Sequence, residues 1–208
     1  MSLELWFAFV AATTVLLAVP GPTVVLVVSY ALGKGRASAW ATVPGVILGD
    51  FTAMTVSLLG AGAVLAASAT LFTVLKLAGA AYLVWLGIRL WQADPSLRIS
   101  RADAATDGRR MFWNAYVVTA LNPKSIVFFV AFVPQFVDPA APAVPQFVLL
   151  EVTFLALAAV NVAIWALLAG RLRACFDRPA ALRTINRIGG GSLLVGAGLL
   201  TAAVRRTG

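Results

Sequence analysis

Long apolar runs alternate with short polar links along this chain. The runs cover about residues 5–32, 39–67, 71–91, 111–136, 146–169 and 188–204. One helical membrane span needs about 20 apolar residues, so the pattern predicts six spans. Strands of a membrane barrel would alternate polar and apolar positions in segments of about ten residues, and these runs do not alternate. The predicted fold is therefore an all-α polytopic membrane protein. Glu4 stands where the basic flank of a signal peptide would sit, and the first run is too long for its apolar segment. That run is read as a retained span. Trp6, Trp40, Trp91 and Trp113 lie near predicted ends, where interfacial tryptophans belong.

The links divide by charge. The first, third and fifth carry Lys34, Arg36, Arg98, Arg101, Arg109, Arg110, Arg171, Arg173, Arg178, Arg183 and Arg187. The second is the weak turn at Ala67-Ser68-Ala69. The fourth is the proline-rich stretch 138–145, acidic at Asp138, and neither carries Lys or Arg. Lys and Arg accumulate in cytoplasmic loops, so the odd links are expected on the cytoplasmic side and both termini outside. Arg205 and Arg206 run against that rule at the outer end. Lys76 is expected near the outer end of the third span, where it could snorkel.

Composition supports this reading. The 208 residues are 61% hydrophobic and 12% charged, against roughly 45–50% and about 25% in soluble domains. A soluble enzyme and a disordered chain are both disfavoured. The net charge of +8 is read as basic cytoplasmic loops, with no nucleic-acid partner. With no histidine and only Cys175, an intramolecular disulfide is excluded, and no metal or cofactor is expected.

An internal repeat emerges next. Two spans contain a central proline, at Pro20-Gly21-Pro22 and at Asn122-Pro123-Lys124. Proline removes an amide donor and clashes with the preceding turn. In a bilayer the freed carbonyls need protein or a wet cavity. Asp50 follows Pro22 by 28 residues, and Glu151 follows Pro123 by 28. A single domain over 1–208 is expected, with repeat one at about 1–92, a cytoplasmic loop at about 93–110 and repeat two at about 111–208. Three spans per half make the repeats inverted. Interrupted helices at matching positions of inverted repeats point to a transporter binding site.

Asp50 is predicted about ten residues into its span, roughly 15 Å deep. A carboxylate there costs on the order of 2.5–3.5 kcal/mol, and such groups usually serve proton relay, ion coordination or ligand contact. A salt bridge or a hydrogen bond to a neighbouring helix is its structural alternative. Gly45 and Gly49 are read as packing positions. Three roles stay open for Lys124: holding a substrate carboxylate, pairing with Asp50, or capping freed carbonyls. Asn122 could satisfy the broken backbone or donate to substrate. Glu151 is either a functional or a solvated interfacial acid, and Asn161 is read as a helix–helix hydrogen bond. The free amides of Thr23 and Val24 suit a carboxylate. Amide donors, a cation and acids together match a zwitterion.

These segments, with Pro44-Gly45-Val46-Ile47-Leu48-Gly49-Asp50, Lys76-Leu77-Ala78-Gly79-Ala80-Ala81-Tyr82-Leu83, Leu86-Gly87, Phe132-Val133-Pro134-Gln135-Phe136-Val137 and Arg187-Ile188-Gly189-Gly190-Gly191, resemble the LysE/RhtB family of bacterial amino-acid exporters over nearly the whole length. The resemblance implies a six-helix inner-membrane exporter of amino acids or related metabolites. It implies driving by the proton gradient or membrane potential, and an oligomer. Its functional positions fall on Pro20, Gly21, Pro22, Asp50, Asn122, Pro123 and Lys124, with Glu151 added from the repeat.

Two other classes are weighed against this one. A membrane enzyme would need Lys124 with Ser125, or Asp50 with Glu151. Adjacent residues on a helix point about 100° apart, which is poor geometry for a dyad. Neither a Gly-x-Ser-x-Gly elbow nor a His–Glu metal motif is present. No phosphate-binding loop is present either. A structural or assembly subunit finds support only in the abundant small residues.

Overall fold

The computed structural model describes residues 1–92, 106–138 and 141–176, with isolated positions between 184 and 194. The sixth predicted span, Arg205 and Arg206, and most of the long third link lie outside the described residues. The described secondary structure is all helical. Among the described residues, two helices are long and apolar enough to cross a membrane, and up to four spans result if each bent pair counts as one.

The first predicted span is a broken pair. Helix α1 (Leu3–Ala18) starts at Ser2, whose hydroxyl accepts from the amide of Leu5. It ends because Val19 precedes proline, which disfavours helical backbone, and Val19 is extended at φ −74°, ψ 114°. Gly21 is also extended, and Pro22 opens α2 (Pro22–Lys34) at a first-turn position that needs no amide donor. The two halves bend by 55°. Gly35 ends α2 at φ 76°, backbone that glycine adopts without strain.

A short 3-10 turn leads into α3 (Ala39–Ala67), 29 residues long. Ser68 then leaves the helix and caps α4 (Ala69–Gln92), its hydroxyl accepting from the amide of Leu71. The predicted turn at Ser68 is thus a true helix junction.

The second bent pair begins with α5 (Gly108–Ala120) and continues after Asn122 as α6 (Pro123–Val127). From there the chain widens into a π-turn (Phe128–Phe132) and tightens into a 3-10 turn (Val133–Phe136). The pair bends by 42°. Helix α7 (Ala143–Phe176) is longer than the apolar run 146–169 that predicts it. Hydropathy marks the stretch that suits lipid, whereas Arg, Leu and Ala also favour helix beyond it. The start of α7 is tied down by Gln146. Its side-chain nitrogen donates to the carbonyls of Asp138, Ala141 and Pro142, and its side-chain oxygen accepts from the Asp138 amide.

Burial is reversed relative to a soluble bundle. Trp40 is 88% exposed, and Leu59, Val56 and Val152 also face outward. Asp50, at 3% exposure, and Asn122 are buried. An apolar exterior around polar interior groups fits lipid as the solvent. Toward the end that carries Glu4 and Asp138, the core is an aromatic block. Phe9 meets Phe136 at 5.4 Å between ring centroids, and Phe129 meets Phe154 at 4.8 Å. Toward the Lys34 end, Val27, Val46, Ala115, Val162 and Ala166 form a smaller aliphatic cluster. Helices α3 and α5 lie in direct contact at two glycines. A Cβ on Gly45 would come within 2.4 Å of the Phe112 carbonyl, and one on Gly49 within 2.7 Å of the Tyr116 carbonyl.

Candidate functional site

The two helix breaks meet each other. In a continuous helix the carbonyl of Leu16 would accept from residue 20, and that of Val19 from residue 23. Pro20 has no amide hydrogen, and the extended backbone at 19–21 carries the chain away. Both carbonyls accept from the ammonium of Lys124, at 3.1 Å from Leu16 and 3.0 Å from Val19, and that of Leu16 also accepts from the Val19 amide at 3.3 Å. Of its three open roles, Lys124 shows backbone capping here, across the two halves of the chain, while its charge also interacts with that of Asp50.

Asn122 organises the second break in the same way. Its side-chain oxygen accepts from the amide of Lys124 at 3.1 Å, a local N-cap. Its amide nitrogen donates to the Thr23 hydroxyl at 3.4 Å. Thr23 in turn shares a hydrogen bond of 3.2 Å with Thr119. Gly21 leaves room for this junction, because a Cβ there would sit 3.4 Å from the Lys124 ammonium. Pro22 and Pro123 are exposed and act through the backbone they terminate, while Pro20 is buried beside the break.

These groups enclose a small cavity. The room for water centres amounts to about 30 Å³, enough for a water or two. Its polar lining is Thr23, Asp50, Asn122, Lys124, Ser125 and Asn161. Asp50 lies on the buried stripe of α3 with Val46 and Met54, so its carboxylate faces the cavity and not lipid. None of the hydrogen bonds or salt bridges among the described residues involves that carboxylate. Thr23 and Val24, in the first turn of α2, also line this wall, and no side chain from Gly21 caps their amides.

Glu151 is not brought to this cavity. It accepts from the Thr55 hydroxyl at 2.6 Å. The buried stripe of α7 runs through Leu150, Phe154, Ala158 and Val162, and Glu151 lies one residue, about 100°, off it. Equal offsets from a proline fix position along a helix but not rotation about it. Asn161 is the polar residue of α7 that reaches the cavity, in place of the helix–helix hydrogen bond expected of it. Ser125 also lines the cavity, although sequence reasoning considers it only as half of a catalytic pair. Among the described residues, no cluster of three or more His, Cys, Asp or Glu could hold a metal.

Apolar-sided helices around a buried polar cavity at two helix breaks define a helical membrane protein. The chain belongs to the LysE type translocator family, whose profile matches residues 5–203. It is 33% identical over 205 residues to the homoserine/homoserine lactone efflux protein of Salmonella typhimurium, covering 99% of each chain. It is 32% identical to an uncharacterized membrane protein of Vibrio cholerae, covering 99% of this chain and all of the other. A leucine efflux protein of Enterobacter is 31% identical over 140 residues, 67% of this chain and 66% of that one. No solved structure matches the chain.

Proposed function

We propose that the protein is a secondary exporter of amino acids or related small zwitterions, working by alternating access at the cavity between the two breaks. One observation carries the reading: two interrupted spans meet at a small cavity holding a buried carboxylate that makes no hydrogen bond among the described residues. The efflux names of the relatives support the direction of transport. In this reading six spans form two inverted repeats in the bacterial inner membrane, with the basic links inside and both termini outside.

The chemistry follows from the lining. Asp50 suits an ammonium group, and the first-turn amides of α2 suit a carboxylate. Asp50 is also the proposed coupling group, taking up and releasing a proton as the cavity faces one side and then the other. One charge moved through 100 mV yields about 2.3 kcal/mol, about fiftyfold accumulation at 1.4 kcal/mol per decade. A single coupling residue is therefore sufficient. Lys124 and Asn122 hold the breaks in register and are not the main solute contacts.

The test is efflux from proteoliposomes preloaded with a panel of labelled amino acids, comparing wild type with Asp50→Asn. Efflux of one class that collapses with uncoupler and is lost in Asp50→Asn supports the reading. Efflux that survives in Asp50→Asn makes Asp50 a structural acid. No efflux of any solute from folded wild type overturns the exporter reading.

A further inference from the structure

The cavity has six polar residues, and the structure divides them. Thr23, Asn122 and Lys124 are occupied in holding the two breaks together. Asp50, Ser125 and Asn161 are not: among the described residues none of their side chains has a hydrogen-bond partner. These three come from different helices, α3, α6 and α7, and converge on one space. Asp50 matches the ammonium that every amino acid carries, so it does not tell one side chain from another. Ser125 and Asn161 remain, facing a cavity otherwise walled by Leu16, Leu17, Val24, Val46 and Val162.

We infer that Asn161, assisted by Ser125, contacts the side chain of the transported solute and selects one bearing a hydrogen-bonding group over an apolar one of equal shape. This rests on the exporter reading above. A carboxamide offers two donors and an acceptor, and a hydroxyl one donor with its lone pairs. Water satisfies these groups while the cavity is wet. A solute that enters displaces that water. A hydroxyl replaces the lost hydrogen bonds, whereas a methyl group leaves both residues unpaired. Sites built to bond a polar group reject the analogue lacking it far more strongly than apolar pockets reject an extra methylene. An apolar slot for branched side chains would place no free carboxamide in its wall.

Homoserine and norvaline form the direct test, because they differ only by hydroxyl in place of methyl. Both are loaded singly and in competition into proteoliposomes carrying wild type, Asn161→Leu or Ser125→Ala. Wild type is expected to export homoserine with at least about tenfold higher efficiency, the factor that one unsatisfied buried polar group corresponds to. Asn161→Leu, close in shape, is expected to raise the half-saturation concentration for homoserine and leave that for norvaline unchanged or lower. The ratio then approaches one. Ser125→Ala shifts it less, in the same direction. If Asn161→Leu does not fold, Asn161→Ser, which puts a hydroxyl in place of the carboxamide, should retain part of the preference. A wild-type ratio near one overturns the inference. So does an Asn161 variant that lowers both solutes equally, which marks a structural residue. Both outcomes leave the exporter reading standing. Export of neither solute by wild type, with other amino acids moved, overturns the inference alone. Export of no amino acid overturns both.

Discussion

A lysine ammonium inside an apolar bundle needs partners, and Lys124 finds them where proline has removed an amide. Its contacts to Leu16 and Val19 reach two carbonyls of the helix that Pro20 interrupts, that of Leu16 shared with the Val19 amide. A hydrogen bond to a charged group contributes about 1.5–3 kcal/mol, and an orphaned buried carbonyl costs a similar amount. Lys124→Met, which keeps length and loses the charge, is expected to destabilise the protein by about 2–4 kcal/mol on that scale. Thermal unfolding in detergent checks it, and an unchanged midpoint would show that the two contacts carry nothing. Asp50→Asn removes charge and not shape, so the same measurement should move little while export is lost. Asp50, Asn122 and Lys124 were legible in the sequence because a polar residue deep in an apolar run has few uses. The place of Asn161 in the cavity wall and the displacement of Glu151 from it were not, since both depend on helix rotation, which no proline offset determines.

Proline and glycine set the elements as well as the breaks. The ends of α1 and α2 and the start of α6 were legible because each is a local event: a residue before proline, a glycine at φ 76°, an asparagine cap. The full extent of α7 was not, because apolar content stops where the lipid stops and the helix does not. Close contact between α3 and α5 depends on Gly45 and Gly49, whose missing side chains let backbone meet backbone. An alanine at Gly49 must displace the Tyr116 carbonyl and the Thr119 side chain, and overpacking of this kind costs about 1–3 kcal/mol. Gly60 lies in the same helix, and a Cβ added there would meet nothing within 4 Å. At that position alanine is expected to be neutral or to stabilise by up to about 1 kcal/mol through helix propensity. The pair Gly49→Ala and Gly60→Ala, compared by thermal unfolding, separates packing from propensity within one helix. Equal effects would mean that the α3–α5 contact is not a fixed seam.

At the scale of the molecule, the cavity is too small for the task proposed for it. About 30 Å³ of room for water centres is far below the roughly 300 Å³ or more of a ligand pocket, so one end must open. The two ends differ. Toward Glu4 and Asp138 the aromatic block closes the way, and each buried ring removes about 150–250 Å² from solvent. Toward Lys34, α2 and α5 are joined by a polar seam: Asn114 donates to the Tyr30 hydroxyl at 2.6 Å, and Thr23 pairs with Thr119. A neutral hydrogen bond contributes only about 0.5–1.5 kcal/mol, and water can replace it as the seam parts. In the exporter reading the basic end faces the cytoplasm, and it is the end proposed to open, closed by this seam and a smaller aliphatic cluster where the other end has an aromatic block. Bridging that seam should stop the cycle. The single cysteine, Cys175, makes a thiol-free background simple to prepare as Cys175→Ser. In that background Tyr30→Cys with Asn114→Cys, joined by a reversible bifunctional thiol reagent, is expected to lose export and to recover it on reduction. Each single cysteine treated alike should export throughout. Full export from the bridged protein would mean that α2 and α5 move as one body, and that the opening lies elsewhere.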